Sequence, residues 1–199
     1  MKKKLIFICL FLIIPIKAFA LIEVDITRGN LNPLPLAVSP LSIDENSKKS
    51  FEKILDKENI GSEISIIVEN NLRTSGLFNP LNKDAFLQAP DIANLKPRFE
   101  DWNLIKAQAL ITGKVTYIDE KLRVEFRLWD VLAGKEMMAL AFTTVPNNWR
   151  RVGHIISDKI YERLTGEKGY FDTRIIYVAE EGPKTQRKKK LAIMDQDGA

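Results

Sequence analysis

His154 is the single histidine of this 199-residue chain and Cys9 its single cysteine, so few groups here could act as nucleophile, base or soft metal ligand. His154 follows Gly153 in a stretch of helical apolar spacing, with no second histidine or cysteine beside it. It reads as a surface or packing residue, not a general base. Asp195-Gln196-Asp197-Gly198 has the look of a calcium loop's opening, but that loop needs two further positions before its glycine and a distal glutamate. A turn is the better reading. Lys184 with Arg187 to Lys190 forms a local basic cluster without interleaved aromatics, which fits a solvated hairpin tip better than a nucleic-acid surface. The sequence holds no Gly-x-Ser-x-Gly elbow, phosphate-cradling glycine loop or paired-histidine motif. No catalytic residue, metal site or cofactor is therefore assigned.

The first twenty residues carry an address. Lys2, Lys3 and Lys4 precede an uncharged run from Leu5 to Ile16, and Ala18-Phe19-Ala20 supplies the small residues that signal peptidase reads. The expectation is a secretory signal peptide over residues 1–20, cut between Ala20 and Leu21. A membrane anchor needs about 20 apolar residues, and this run is shorter and closes at Lys17. Cys9 lies inside it with no small neighbour, a poor lipoprotein attachment site. Four of the 30 basic residues fall in this segment, so the remainder carries 26 basic against 26 acidic residues. Net neutrality argues against bulk nucleic-acid or anionic-membrane binding, and no membrane insertion is expected after cleavage. Without cysteine, the exported chain must be held by an ordinary core.

Behind the leader, Ile22-Glu23-Val24-Asp25-Ile26-Thr27 alternates apolar and polar residues, the pattern of a half-exposed strand. Two readings stand: an edge strand of its own domain, or a strand exchanged with a partner by backbone pairing. A second strand follows at Leu34 to Pro40. The polar stretch from Asn46 to Asn59 reads as loop, with at most one helical turn around Phe51 to Leu55.

Ser62 then caps a helix with Ile64, Ile67, Val68 and Leu72 on one face, closed by Gly76. Leu77 to Leu81 gives a short strand, Pro90 and Pro97 bracket a linker, and Phe99 to Lys106 forms a short helix with Trp102 inward. From Ala109 the period becomes two. Ile111, Gly113, Val115 and Tyr117, then Leu122, Val124, Phe126 and Leu128, mark two strands of an antiparallel meander. A third, Glu136 to Val145, follows the turn Ala133-Gly134-Lys135. Asn147 or Asn148 caps a last helix striped by Trp149, Val152, Ile156, Ile160 and Leu164. The order β-β-α-β-α-β-β-β-α is an α+β fold.

Gly166 stops that helix, Gly169 to Asp172 form a short hinge, and a β-branched run begins at Ile175. The expected domains are residues 21–169 and 170–199. Arg174 to Ala179 and Lys190 to Met194 pair as a hairpin with Glu180 to Lys189 at its tip, and the Asp195 turn leads toward a third strand. Serial four-stranded blades make a β-propeller, of which this is about half of one blade. Because a lone hairpin is marginal in water, Thr173 to Ala199 are expected to be disordered or mispaired on their own, in a second domain that is truncated.

Four sequence words carry a family likeness in order: Pro35-Leu36-Ala37-Val38-Ser39-Pro40, Leu72 to Leu81, Ile111-Thr112-Gly113-Lys114-Val115, and Lys159 to Val178. The chain resembles the TolB family, soluble periplasmic components of the Tol-Pal envelope system. The resemblance implies an α+β domain before a six-bladed propeller, together a binding scaffold without enzymatic activity. It implies that the mature N-terminal segment, here Ile22 to Thr27, engages the inner-membrane protein TolA, and that the propeller face binds the lipoprotein Pal. Most of that propeller lies outside these residues, so the Pal-binding face cannot be built from them. The function implied is a periplasmic adaptor linking TolA to Pal, supporting outer-membrane invagination during cell division and envelope integrity. The alternative is an exported hydrolase whose catalytic domain lies outside this sequence.

Overall fold

The structure is a computed structural model and describes residues 32–199. Ala20, Leu21 and the segment Ile22, Glu23, Val24, Asp25, Ile26 and Thr27 lie outside the described residues, as does the leader. The chain then runs β1 (Leu34–Val38), β2 (Ser42–Ile43), α1 (Glu45–Leu55), α2 (Ile60–Thr74), β3 (Phe78–Pro80), α3 (Pro90–Leu95) and α4 (Phe99–Leu104). After these come β4 (Ala109–Ile118), β5 (Lys121–Asp130), β6 (Lys135–Thr144), α5 (Trp149–Thr165), β7 (Arg174–Glu181) and β8 (Lys188–Asp195).

One mixed sheet has the order β3-β1-β4-β5-β6, with β2 also on β4. β1 lies parallel to both β3 and β4, whereas β4, β5 and β6 form the expected antiparallel meander. Leu122, Val124, Phe126 and Leu128 of β5 are all buried and alternate with partly exposed residues. They face α2 and α5, whose Ile64, Val68 and Leu72, and Val152, Ile156, Ile160 and Leu164, complete one core. β4 is buried on both faces at its start. Leu110 points into a second, smaller core with Ala37, Ala93, Trp102 and Val131. Trp102 is buried as its spacing requires, edge-on to Phe86 at 5.0 Å.

Five expectations need correction. The stretch from Asn46 to Asn59 is largely helical, because Asp44 caps α1: its Oδ1 accepts the Ser47 N–H at 2.9 Å and its Oδ2 the Ser47 hydroxyl at 3.0 Å. That backbone N–H, more than the neighbouring Lys114, holds the Asp44 carboxyl below the ordinary carboxylate range. Phe51 is buried against Tyr117, and the Ser47 hydroxyl accepts the Tyr117 N–H at 2.9 Å, so α1 is fastened to the far end of β4. The Pro90–Pro97 linker also contains a helix, α3, in which Pro90 takes the first position, where its missing N–H costs nothing.

Ser62 lies inside α2, which starts at Ile60. Asn148 stands at the start of α5, but its side chain donates to Thr144 Oγ1 and makes no cap bond. Finally, Arg174 to Asp195 is not mispaired. β7 and β8 are in antiparallel register from Arg174 opposite Asp195 to Glu181 opposite Lys188. Glu180 accepts Arg187 at 2.5 Å and Lys189 at 3.0 Å, and Glu181 lies 3.5 Å from Lys190, so part of the basic cluster is paired across the hairpin.

Candidate functional site

The expected hinge after α5 is tied down. Asp158 of α5 accepts the backbone N–H groups of Phe171 at 2.6 Å and Asp172 at 3.1 Å, and Arg151 pairs with Asp172 at 3.1 Å. Phe171 is fully buried and lies edge-on to Tyr161 at 5.8 Å. The chain passes so close to α5 at Gly169 that a Cβ there would sit 2.4 Å from Asp158 Cα. A glycine is required at that crossing.

The hairpin's far end returns to the same helices. Asp195 to Ala199 form the expected turn, closed by the Gly198 N–H donating to the Asp195 carbonyl at 3.0 Å. Gln196 Nε2 donates to Asn71 Oδ1 of α2 at 3.1 Å, and Asn71 Nδ2 donates to Ser157 Oγ of α5 at 2.9 Å. The same amide nitrogen lies 3.0 Å from His154 Nδ1. His154 is thus a packing residue, 2% exposed. Its depth follows from Gly153, whose lack of a side chain lets α5 approach Ile67 of α2; a Cβ there would meet Ile67 Cγ2 at 2.9 Å.

On its other edge, His154 Nε2 faces Asp197 Oδ2 at 3.7 Å and Asp195 Oδ2 at 3.9 Å. Arg150, one turn earlier on α5, reaches Asp197 at 2.5 Å and Asp195 at 3.8 Å. Arg174 lies 3.8 Å from Asp195. The arrangement fastens three segments to one another, α2, α5 and the turn after β8. The sequence carried a signal for part of it. Asn71 sits at the position of the Ile64, Ile67, Val68 stripe where an apolar residue would be expected, and a polar residue there asks for a buried partner. Nothing in the spacing points to Asp195 and Asp197 as neighbours of His154.

A mixed sheet with helices on both faces, continued through a fixed connection into an antiparallel hairpin, defines an α+β domain followed by a separate two-stranded sheet. Its family follows from comparison with known proteins. Residues 22–137 match the family described as the TolB amino-terminal domain, and the chain belongs to that family. A Tol-Pal system protein TolB of Pelagibacter ubique (strain HTCC1062) is 86% identical over 189 residues, which cover 95% of this chain and 42% of the relative. The chain thus spans about two fifths of that relative's length. Among solved structures, TolB from Acinetobacter baumannii superposes with a TM-score of 0.66 at 24% identity, over 84% of this chain and 37% of the other, a likeness of fold. Among the described residues, no helix is long and apolar enough to cross a membrane.

Proposed function

We infer that this chain is the N-terminal part of a periplasmic, non-catalytic Tol-Pal adaptor, whose task is to bind other components of the envelope machinery. The observation that carries this reading is the 86% identity to a Tol-Pal system protein across nearly the whole chain. Ile22 to Thr27 recruit TolA by strand pairing, a mode that needs only backbone bonds and suits their alternation of apolar and polar residues. β7 and β8 open a propeller whose later blades bind Pal, and the two contacts together connect the inner membrane to the outer during division. Exposed Ile176, Val178, Leu191 and Ile193 on the hairpin support this, because they are the apolar residues that neighbouring strands of a blade would cover.

Deletion of residues 21–27 tests it. TolA pull-down should be lost while the circular-dichroism spectrum of the α+β domain is unchanged. Undiminished TolA binding by the deleted chain would remove the strand from the account. Peptide or ester hydrolysis by the longer protein would instead favour the exported-hydrolase alternative.

A further inference from the structure

We propose that His154, Asp195 and Asp197 form a binding site for one divalent cation of the zinc class, which rivets the turn after β8 to α5. Each residue offers one ligand atom, and the three atoms lie within 4.8 Å of one another. The separations are informative. At 3.7 and 3.9 Å, His154 Nε2 is too far from either carboxylate for an N–H···O hydrogen bond, which spans about 2.7–3.2 Å. Zinc–ligand bonds of about 2.0–2.2 Å at tetrahedral angles put neighbouring ligand atoms about 3.2–3.6 Å apart. The two distances from His154 Nε2 exceed that spacing by only a few tenths of an ångström, and closing the set requires the two carboxylates, within 4.8 Å of each other, to draw together around the ion.

An independent observation concerns the imidazole itself. Nε2 is buried and has no hydrogen-bond partner, in a side chain 2% exposed. A buried polar atom without a partner is costly, and a metal ligated there would satisfy it. The ring is already oriented from behind by Asn71, which Ser157 and Gln196 hold in turn. Ligating histidines are held in this way by a partner on the second ring nitrogen. Ligation through Nε2 leaves the proton on Nδ1, so the Asn71 carboxamide presents Oδ1 to the ring and Nδ2 to Gln196, whose own amide turns to accept, and the Ser157 hydroxyl swings from the Gly153 carbonyl to donate to that Oδ1.

The donor chemistry selects among ions. One imidazole and two carboxylates suit zinc, with water in the fourth position, better than calcium, which takes six to eight oxygens. Arg150 is the competitor, since its guanidinium holds Asp197 at 2.5 Å and must yield that oxygen to the metal. Arg174 beside Asp195 opposes the ion more weakly, from 3.8 Å. Removing Arg150 should therefore tighten metal binding, the reverse of what a hairpin held by ion pairs alone predicts.

The test is a calorimetric titration of the purified, chelator-treated chain with zinc chloride at pH 8, followed in parallel by the imidazole NMR resonances of the single histidine. The expected result is one zinc per chain with displacement of those resonances. His154→Gln and Asp197→Asn should each weaken binding at least tenfold, and Arg150→Gln should strengthen it. Asp197 is surface-accessible, so its variant keeps the test valid should His154→Gln unfold. Absence of stoichiometric binding at millimolar zinc, binding that leaves the His154 resonances unmoved, or affinity unchanged in Asp197→Asn would overturn the proposal.

Discussion

Asn71 of α2 and Gln196 of the turn after β8 are 125 positions apart and joined by a hydrogen bond of 3.1 Å. Through it the hairpin's end is registered on the helical layer that also buries His154 and Ser157. Asn71 is 1% exposed, so its carboxamide organises the joint from inside. Replacing it with alanine leaves the Ser157 hydroxyl and His154 Nδ1 without that partner. Asn71→Ala should cost about 1–3 kcal/mol in urea unfolding, and Gln196→Ala less, since water can replace its more exposed amide. Equal losses in the two variants would contradict the central place given to Asn71.

Phe171 anchors the other end of the same connection. Its ring is fully buried, and the backbone on either side is held by Asp158. Phe171→Ala should cost about 3–5 kcal/mol and expose the segment from 166 to 173 to protease, with cleavage there preceding cleavage elsewhere. Cleavage confined to the hairpin tip in both proteins would show that the ring does not fasten the connection.

The α1 cap predicts a pH dependence. Asp44 has its carboxyl held below the ordinary value of 3.8, chiefly by the Ser47 N–H. Its charged form is thus favoured in the folded chain, and the contribution is complete above the unfolded-state value and lost as pH falls through the depressed folded value. Asp44→Ala should lower stability by about 1 kcal/mol at neutral pH. The gap between the two proteins should narrow toward pH 3 in urea unfolding. A gap that stays constant across that range would assign the effect to something other than the charged cap.

What could be read from sequence, and what could not, divides along the range of the interactions. Val124, Phe126 and Leu128 of β5 and Val152, Ile156 and Ile160 of α5 announced themselves because a half-buried strand and a half-buried helix each repeat at their own period. α1 was hidden because Phe51 is its only fully buried large side chain, and its evidence is the cap Asp44 with Ser47, a local bond that apolar periodicity does not report. Pro90 looks like punctuation in the sequence because a proline that breaks a chain and one that opens a helix are the same residue, and here it opens α3. The joint was hidden for a different reason. His154, Asp195 and Asp197 become neighbours only when β7 and β8 pair and the turn folds back on α5, and no spacing along the chain encodes that distance.

Gly153 sets how closely α2 and α5 approach, and this can be tested by a pair of substitutions. A Cβ at Gly153 would stand 2.9 Å from Ile67 Cγ2 and 3.1 Å from Ile67 Cβ, so an added methyl must push the helices apart. Alanine gains up to about 1 kcal/mol of helix propensity over glycine, whereas overpacking a core contact costs about 1–3 kcal/mol. The clash should win, and Gly153→Ala should be net destabilising. Ile67→Ala removes the obstructing carbons and is itself destabilising, because Ile67 is largely buried. In the double variant the new methyl enters space that Ile67 has left, so the combined loss should be smaller than the two single losses together. Additive losses would mean that the helices are spaced by other contacts, and His154 would then owe its depth in the joint to those contacts and not to the missing side chain beside it.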